Sequence, residues 1–328
     1  VEPYVGYGTG DYSRLICRTV YAPRHAQSGE LIRGIRGMLA IPAPRTHVQA
    51  SIDDMPLNTV QIGVSEVYDK VDRTRDLGSE YAISDSAGYL DLVAEHRLVP
   101  GIHRVSYSVA NRKPVSANLY TIPASAKVGI ISDVDDTIMI TQAPVPWKAA
   151  YNLLFLDPKK KASVPGMSVL FTRIADLFPG APFFYLSTSP WNVESSIRNF
   201  ITDHGFPEGP LLLRDLDPRP KTFVPTGPQH KLEFAEQLMA DFPDMKFILV
   251  GDDGQKDPTT YATIARRYPG RVLAIVIREL SPRESTGLAV TGLTSTQPTP
   301  VTDVPVFTGT TGSNILKTML PYLKTVLR

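Results

Sequence analysis

The run Ile130-Ile131-Ser132-Asp133-Val134-Asp135-Asp136-Thr137 passes from apolar residues straight into three carboxylates and a hydroxyl. Such a run reads as a buried strand whose carboxyl end presents Asp133 and Asp135 together in a tight turn. Two desolvated like charges repel and are costly unless something compensates them. A divalent cation would do so, and would leave one carboxylate free to act as a nucleophile. The bland alternative is an Asp-rich turn that only caps the next helix. A calcium loop of the EF-hand kind is excluded, because its sixth and twelfth positions must be Gly and Glu and here are Ile138 and Pro144.

The same grammar recurs downstream. Ala181 to Leu186 runs into Ser187-Thr188-Ser189-Pro190, and Lys246 to Val250 runs into Gly251-Asp252-Asp253-Gly254. Between and after these runs lie apolar residues at spacings of three and four: Val193, Ile197, Phe200 and Ile201; Leu232, Ala235, Leu238, Met239 and Phe242; Tyr261, Ile264, Ala265 and Tyr268. Ser189-Pro190 and Asp257-Pro258 read as N-caps followed by proline at the first helical position. Strands alternating with helices predict an α/β fold with a mainly parallel sheet and a site at the strands' carboxyl ends. With Leu211 to Leu213 and Val272 to Ile277 the sheet reaches about five strands. Asp133, Ser187 and Asp252 then share one rim.

These residues resemble the haloacid dehalogenase-type phosphohydrolases, whose four signatures match in order. They are Asp-x-Asp-x-Thr at Asp133 to Thr137, a hydroxyl closing the second strand at Ser187, a lysine at Lys231, and Gly251-Asp252 with a second acid at Asp257. More narrowly, the chain is similar to the App1-type phosphatidate phosphatase catalytic domains at Ser132 to Thr137, Tyr185 to Trp191, His230-Lys231, Gly251 to Pro258 and Arg267 to Val272. The resemblance implies a Rossmann-like parallel sheet and Mg2+-dependent hydrolysis of a phosphomonoester, phosphatidate above all, to yield diacylglycerol. Two departures stand out: Asp253 where the subgroup has Ser, which adds a negative charge beside the proposed metal, and Thr259 where it has Glu.

The chemistry can also be built from the residue types. Attack by Asp133 on phosphorus would give an aspartyl-phosphate, splitting one hard hydrolysis into two easier steps. Asp135 would protonate the leaving alkoxide and then activate water. Mg2+ prefers oxygen and needs only one or two carboxylates plus the phosphate; Asp133 and Asp252 would supply them, and the resemblance implies the backbone carbonyl of Asp135 as a further ligand. Ser187 and Lys231, with Thr137 and Thr188, would hold the phosphoryl oxygens. Asp253 and Asp257 would orient the metal or the lysine from behind. Against these stand a solvated Lys231, a simple turn hydroxyl at Ser187 and a capping role for Asp257.

Composition sets the frame. A chain of 328 residues predicts about two domains. Formal charge is +1, from 34 basic and 33 acidic residues, so no overall field recruits nucleic acid. The lone Cys17 excludes an internal disulfide, and the six histidines show no metal-ligand spacing. No stretch reaches the roughly 18 apolar residues of a membrane span, and Val1 to Tyr7 lacks a signal pattern. The expectation is a cytoplasmic protein, with peripheral membrane contact and a removed leader left open.

Residues 1–125 show short alternating segments between turn clusters, which predicts a β-sandwich with a structural, docking or substrate-orienting role. Residues 126–282 form the expected phosphatase domain, and 283–328 an extended tail ending in a helix kinked near Pro321. The insertion at 141–164 is the place for a small cap. It carries Trp147, Tyr151, Leu153 to Leu156 and Lys159 to Lys161, which suits an anionic lipid surface or, equally, a cap packed on the core with its lysines in water. The rival functions are a phosphatase for a soluble sugar phosphate or nucleotide, and a non-catalytic scaffold working through the β-sandwich.

Overall fold

The computed structural model describes residues 1–21, 41–57, 59–62, 82–140, 162–214, 227–254, 256–281 and 302–326. Its described residues divide into two compact units, 1–125 and 126 onward. Most of the insertion, including Trp147, Tyr151, Leu153 to Leu156 and Lys159 to Lys161, lies outside the described residues.

The second unit is built on six parallel strands: β1 (Val128–Asp133), β2 (Phe183–Pro190), β3 (Leu211–Arg214), β4 (Lys246–Asp252), β5 (Val272–Arg278) and β6 (Val306–Gly309). They lie in the order β3-β2-β1-β4-β5-β6. Every residue of β1 and β5 is buried, which requires cover on both faces of the sheet. Helices α1 (Met167–Leu177), α2 (Glu194–Asp203), α3 (Gly227–Asp241), α4 (Asp257–Arg267) and α5 (Gly312–Val326) supply it. Helix α1 packs against α5, and α3 against α4. The chain works outward from β1 to β3, then returns to β4 and works the other way. The order therefore reverses between β1 and β4, and at such a switch point the carboxyl ends of the strands open a crevice.

Two local expectations are corrected. The stretch read as an extended tail contributes β6, which pairs with β5 from Ile275↔Val306 to Arg278↔Gly309, while the expected closing helix is α5, which buries Ile315, Met319 and Leu323. A four-residue edge strand that follows Pro305 and ends in Gly309 is too short to show an alternating pattern, so among the described residues the sheet has six strands instead of five. Helix α5 runs through Pro321. Ser189-Pro190 does not open a helix: both residues close β2, and α2 begins only after a 3-10 turn at Trp191–Val193.

Among the described residues the first unit is one hydrogen-bonded sheet of ten strands, antiparallel except where Gly6–Gly8 runs beside Val115–Thr121. Tyr12–Arg18 alternates strictly between buried and half-buried residues. Leu15, Cys17, Leu92, Val105, Tyr107 and Leu119 meet in one apolar core. Among the described residues, hydrogen-bonded pairings link most of these strands in one path.

Candidate active site

The carboxyl end of β1 is shaped by a tight turn. The amides of Ile138 and Met139 both donate to the Val134 carbonyl at 3.1 Å, and the Asp136 amide donates to the Met139 carbonyl at 2.8 Å. Asp136 takes a left-handed conformation, φ 54°, which a non-glycine residue adopts only when its surroundings hold it there. Asp133 is 2% exposed. Thr137 Oγ1 donates to its Oδ2 at 3.1 Å, and Lys231 Nζ stands 2.8 Å from its Oδ1.

Lys231 comes from α3 and is itself buried, so the solvated lysine is ruled out. Its ammonium joins a second carboxylate, that of Asp257 at the first turn of α4. Asp257 does not cap its own helix. Its other oxygen, Oδ2, accepts the Asp252 amide at 3.3 Å, and α4 has no side-chain cap. Asp252 ends β4 with Oδ1 accepting the Gly254 amide at 2.8 Å, while Oδ2 is buried without a hydrogen-bond partner. Carboxylate oxygens of Asp133, Asp252 and Asp257 lie within 4.8 Å of one another. Gly251 makes this crowding possible, since a Cβ there would come within 2.3 Å of Asp257 Oδ2.

Three buried carboxylates against one ammonium leave an excess of negative charge. Burial pushes the Asp133 carboxyl up to about 8, opposed by Lys231 and reinforced by Asp257 and Asp135. Burial, then Asp257 and Asp133, push Asp252 well above the carboxylate range. Burial works against the charge on Lys231, but Asp133 and Asp257 outweigh it and raise its value. An all-oxygen donor set, surplus negative charge and the unsatisfied Asp252 Oδ2 fit a hard divalent cation such as Mg2+.

Asp135 sits at the half-buried edge of the cluster. Its Oδ2 accepts Ser187 Oγ at 3.0 Å and Ser189 Oγ at 3.3 Å, and the Ser189 amide donates to Ser187 Oγ at 3.0 Å. The structure thus gives the Ser187 hydroxyl a partner on the neighbouring strand end. Thr188 lies half-buried between the two serines. Asp253 Oδ1 accepts the Leu280 amide at 2.8 Å and its amide donates to the Arg278 carbonyl at 3.0 Å, tying the end of β4 to the end of β5. Partial burial raises its carboxyl. Two residues escaped the sequence reading. Ser189 was absorbed into a false helix start, and Arg278, a charge closing a fully apolar strand, was the overlooked signal.

Residues 128–279 match the family model described as phosphatidate phosphatase APP1, catalytic domain. Phosphatidate phosphatase APP1 of Saccharomyces cerevisiae is 29% identical over 211 residues, which cover 62% of this chain and 35% of that protein. An uncharacterized protein of Schizosaccharomyces pombe is 26% identical over 176 residues, 53% of this chain and 29% of that one. The chain spans about a third of the length of these curated relatives. Among solved structures, PhoD aligns over 84% of this chain and 70% of its own at 9% identity and a TM-score of 0.30, too low to bear on the fold. Residues 128–279 are thus similar to the App1-type phosphatidate phosphatase catalytic domains.

Proposed function

We propose that the second unit is a haloacid dehalogenase-like, Mg2+-dependent phosphomonoester hydrolase that works through an aspartyl-phosphate on Asp133, with phosphatidate as substrate and diacylglycerol as product. The match of residues 128–279 to the App1-type catalytic domain model supports the substrate class. The observation that carries the site is the buried Lys231 ammonium joined to both Asp133 and Asp257, beside the unpartnered Asp252 Oδ2.

Asp133 and Asp252 would hold the cation by their side chains and Asp135 by its backbone carbonyl; when bound, Mg2+ supplies charge neutralisation between nucleophile and phosphate. Asp133 attacks phosphorus as the bond to the leaving alkoxide breaks. Asp135 gives that alkoxide its proton from Oδ1, because Oδ2 already accepts two hydroxyls. The resulting carboxylate takes a proton from water as it attacks the aspartyl-phosphate, which returns Asp133 and releases phosphate. Lys231 stays charged throughout and offsets the negative charge gathered on Asp133 and the phosphoryl oxygens. Ser187 exchanges its bond to Asp135 for one to the phosphate, with Thr188 beside it. Lys159 to Lys161 in the insertion would meet an anionic lipid surface, and the first unit, read as sandwich-like, would orient the lipid.

The test is phosphate release from phosphatidate vesicles and from a panel of soluble phosphomonoesters, with Mg2+ and with chelator. Release that prefers the vesicles and stops in chelator is expected. Full activity in excess chelator overturns the metal assignment, and preference for a sugar phosphate or nucleotide overturns the lipid substrate.

A further inference from the structure

Arg278 closes β5 and is 3% exposed. Its strand register places it opposite Asp252. Its Nη1 donates at 2.9 Å to the carbonyl of Asp136, a residue 142 positions earlier in the chain. Asp136 is the left-handed residue of the turn that carries Asp133 and Asp135. The same end of β5 is fastened to the Asp252 loop, because the Arg278 carbonyl accepts the Asp253 amide and the Leu280 amide donates to Asp253 Oδ1. One arginine thus bridges the two loops that bear the acidic cluster. A carbonyl in a left-handed turn points away from the usual backbone partners, and a buried guanidinium with several donors in a fixed fork is suited to capture it.

We propose that Arg278 is a positioning residue of the reaction, holding the Asp136 carbonyl so that the turn keeps Asp133 and Asp135 aligned with Asp252. Its role is to position the turn, by way of the Asp136 carbonyl. The inference rests on the functional reading above, since it supposes that the turn carries the nucleophile. A displacement of reacting groups by about 1 Å can cost on the order of a hundredfold in rate.

Four proteins test it: the unaltered chain, Arg278→Met, Arg278→Lys and Arg271→Met. Arg271 is the control, because it caps carbonyls of Met245, Met239 and Phe242 away from the cluster. The readouts are amide exchange of Asp136, Ile138 and Met139 in metal-free protein, the melting temperature, and kcat and KM for phosphate release. Arg278→Met should speed exchange in the turn and lower kcat about a hundredfold while KM stays within about threefold. Arg278→Lys should recover part of both, and Arg271→Met should lower the melting temperature yet leave turn exchange and kcat alone. Unchanged turn protection in Arg278→Met overturns the proposal, as does a loss of kcat that Arg271→Met matches at equal destabilisation. Should Arg278→Met fail to fold, Arg278→Lys carries the same comparison. If the unaltered chain releases phosphate from no ester, the functional reading falls while the exchange data still decide whether Arg278 holds the turn.

Discussion

Asp133 and Asp257 share the Lys231 ammonium with Asp252 close beside them, and that imbalance governs how the site responds to pH and to cations. Asp133 titrates near 8 in the metal-free chain and Asp252 is also raised, so between about pH 4 and pH 8 the folded state holds protons that the unfolded chain has lost. Stability should therefore be greatest at the acid end of that window and fall as pH rises through it, by about 1.4 kcal/mol per pH unit for each proton held. Denaturant melts from pH 4 to pH 8 in chelator measure this slope. Asp133→Asn should make it shallower, and a slope of the opposite sign would contradict the buried cluster. The same substitution should reduce phosphate release by at least about a thousandfold, since it removes nucleophile and metal ligand together. The pairing of Asp133 with Asp135 was legible as an apolar run that ends in charge. The partner of the Ser187 hydroxyl was not, because Asp135 stands 52 residues away in the turn after β1.

At the level of elements, β1, β2 and β4 announce themselves because each is buried and stops at polar residues, the pattern of a parallel sheet between two helical layers. Ser189-Pro190 was misread because a serine followed by proline carries the same local signal at a helix start as at a strand end; only the bonds of the two serines to Asp135 set the difference. Strand β6 was missed because four edge residues carry no period. Gly251 belongs to this scale, since it lets α4 lie close enough to β4 for Asp257 to reach both Lys231 and the Asp252 amide. A Cβ at Gly251 would also meet Tyr261 Cε2 at 2.7 Å. Gly251→Ala should therefore cost about 1–3 kcal/mol by overpacking and lower phosphate release further than that loss of stability explains. Urea titrations alongside the assay separate the two effects, and a fully active, fully stable variant would show that α4 can move away freely.

For the whole molecule, a cation that binds only the folded second unit should raise its melting temperature and leave the first unit's transition in place. Saturation at a hundred times the dissociation constant is worth about 2.7 kcal/mol. Calorimetry with and without Mg2+ reads this directly, and a shift in neither transition would mean that the cluster holds no metal. Replacing Lys159, Lys160 and Lys161 by Gln should weaken binding to anionic vesicles by roughly two decades at low salt, at about 1 kcal/mol per lysine, and less at high salt. Hydrolysis of a soluble ester should barely change, and equal losses on both substrates would assign the insertion to closure of the site. The sequence by itself determined which residue types stand at the strand ends and that the strands are parallel, because burial period and chain-neighbour spacing are local properties. Only the tertiary structure decided which second carboxylate Lys231 joins, which hydroxyls serve Asp135 and which arginine grips the turn. Those depend on contacts between residues that are 26, 52 and 142 positions apart, and no local pattern encodes the meeting of such distant groups.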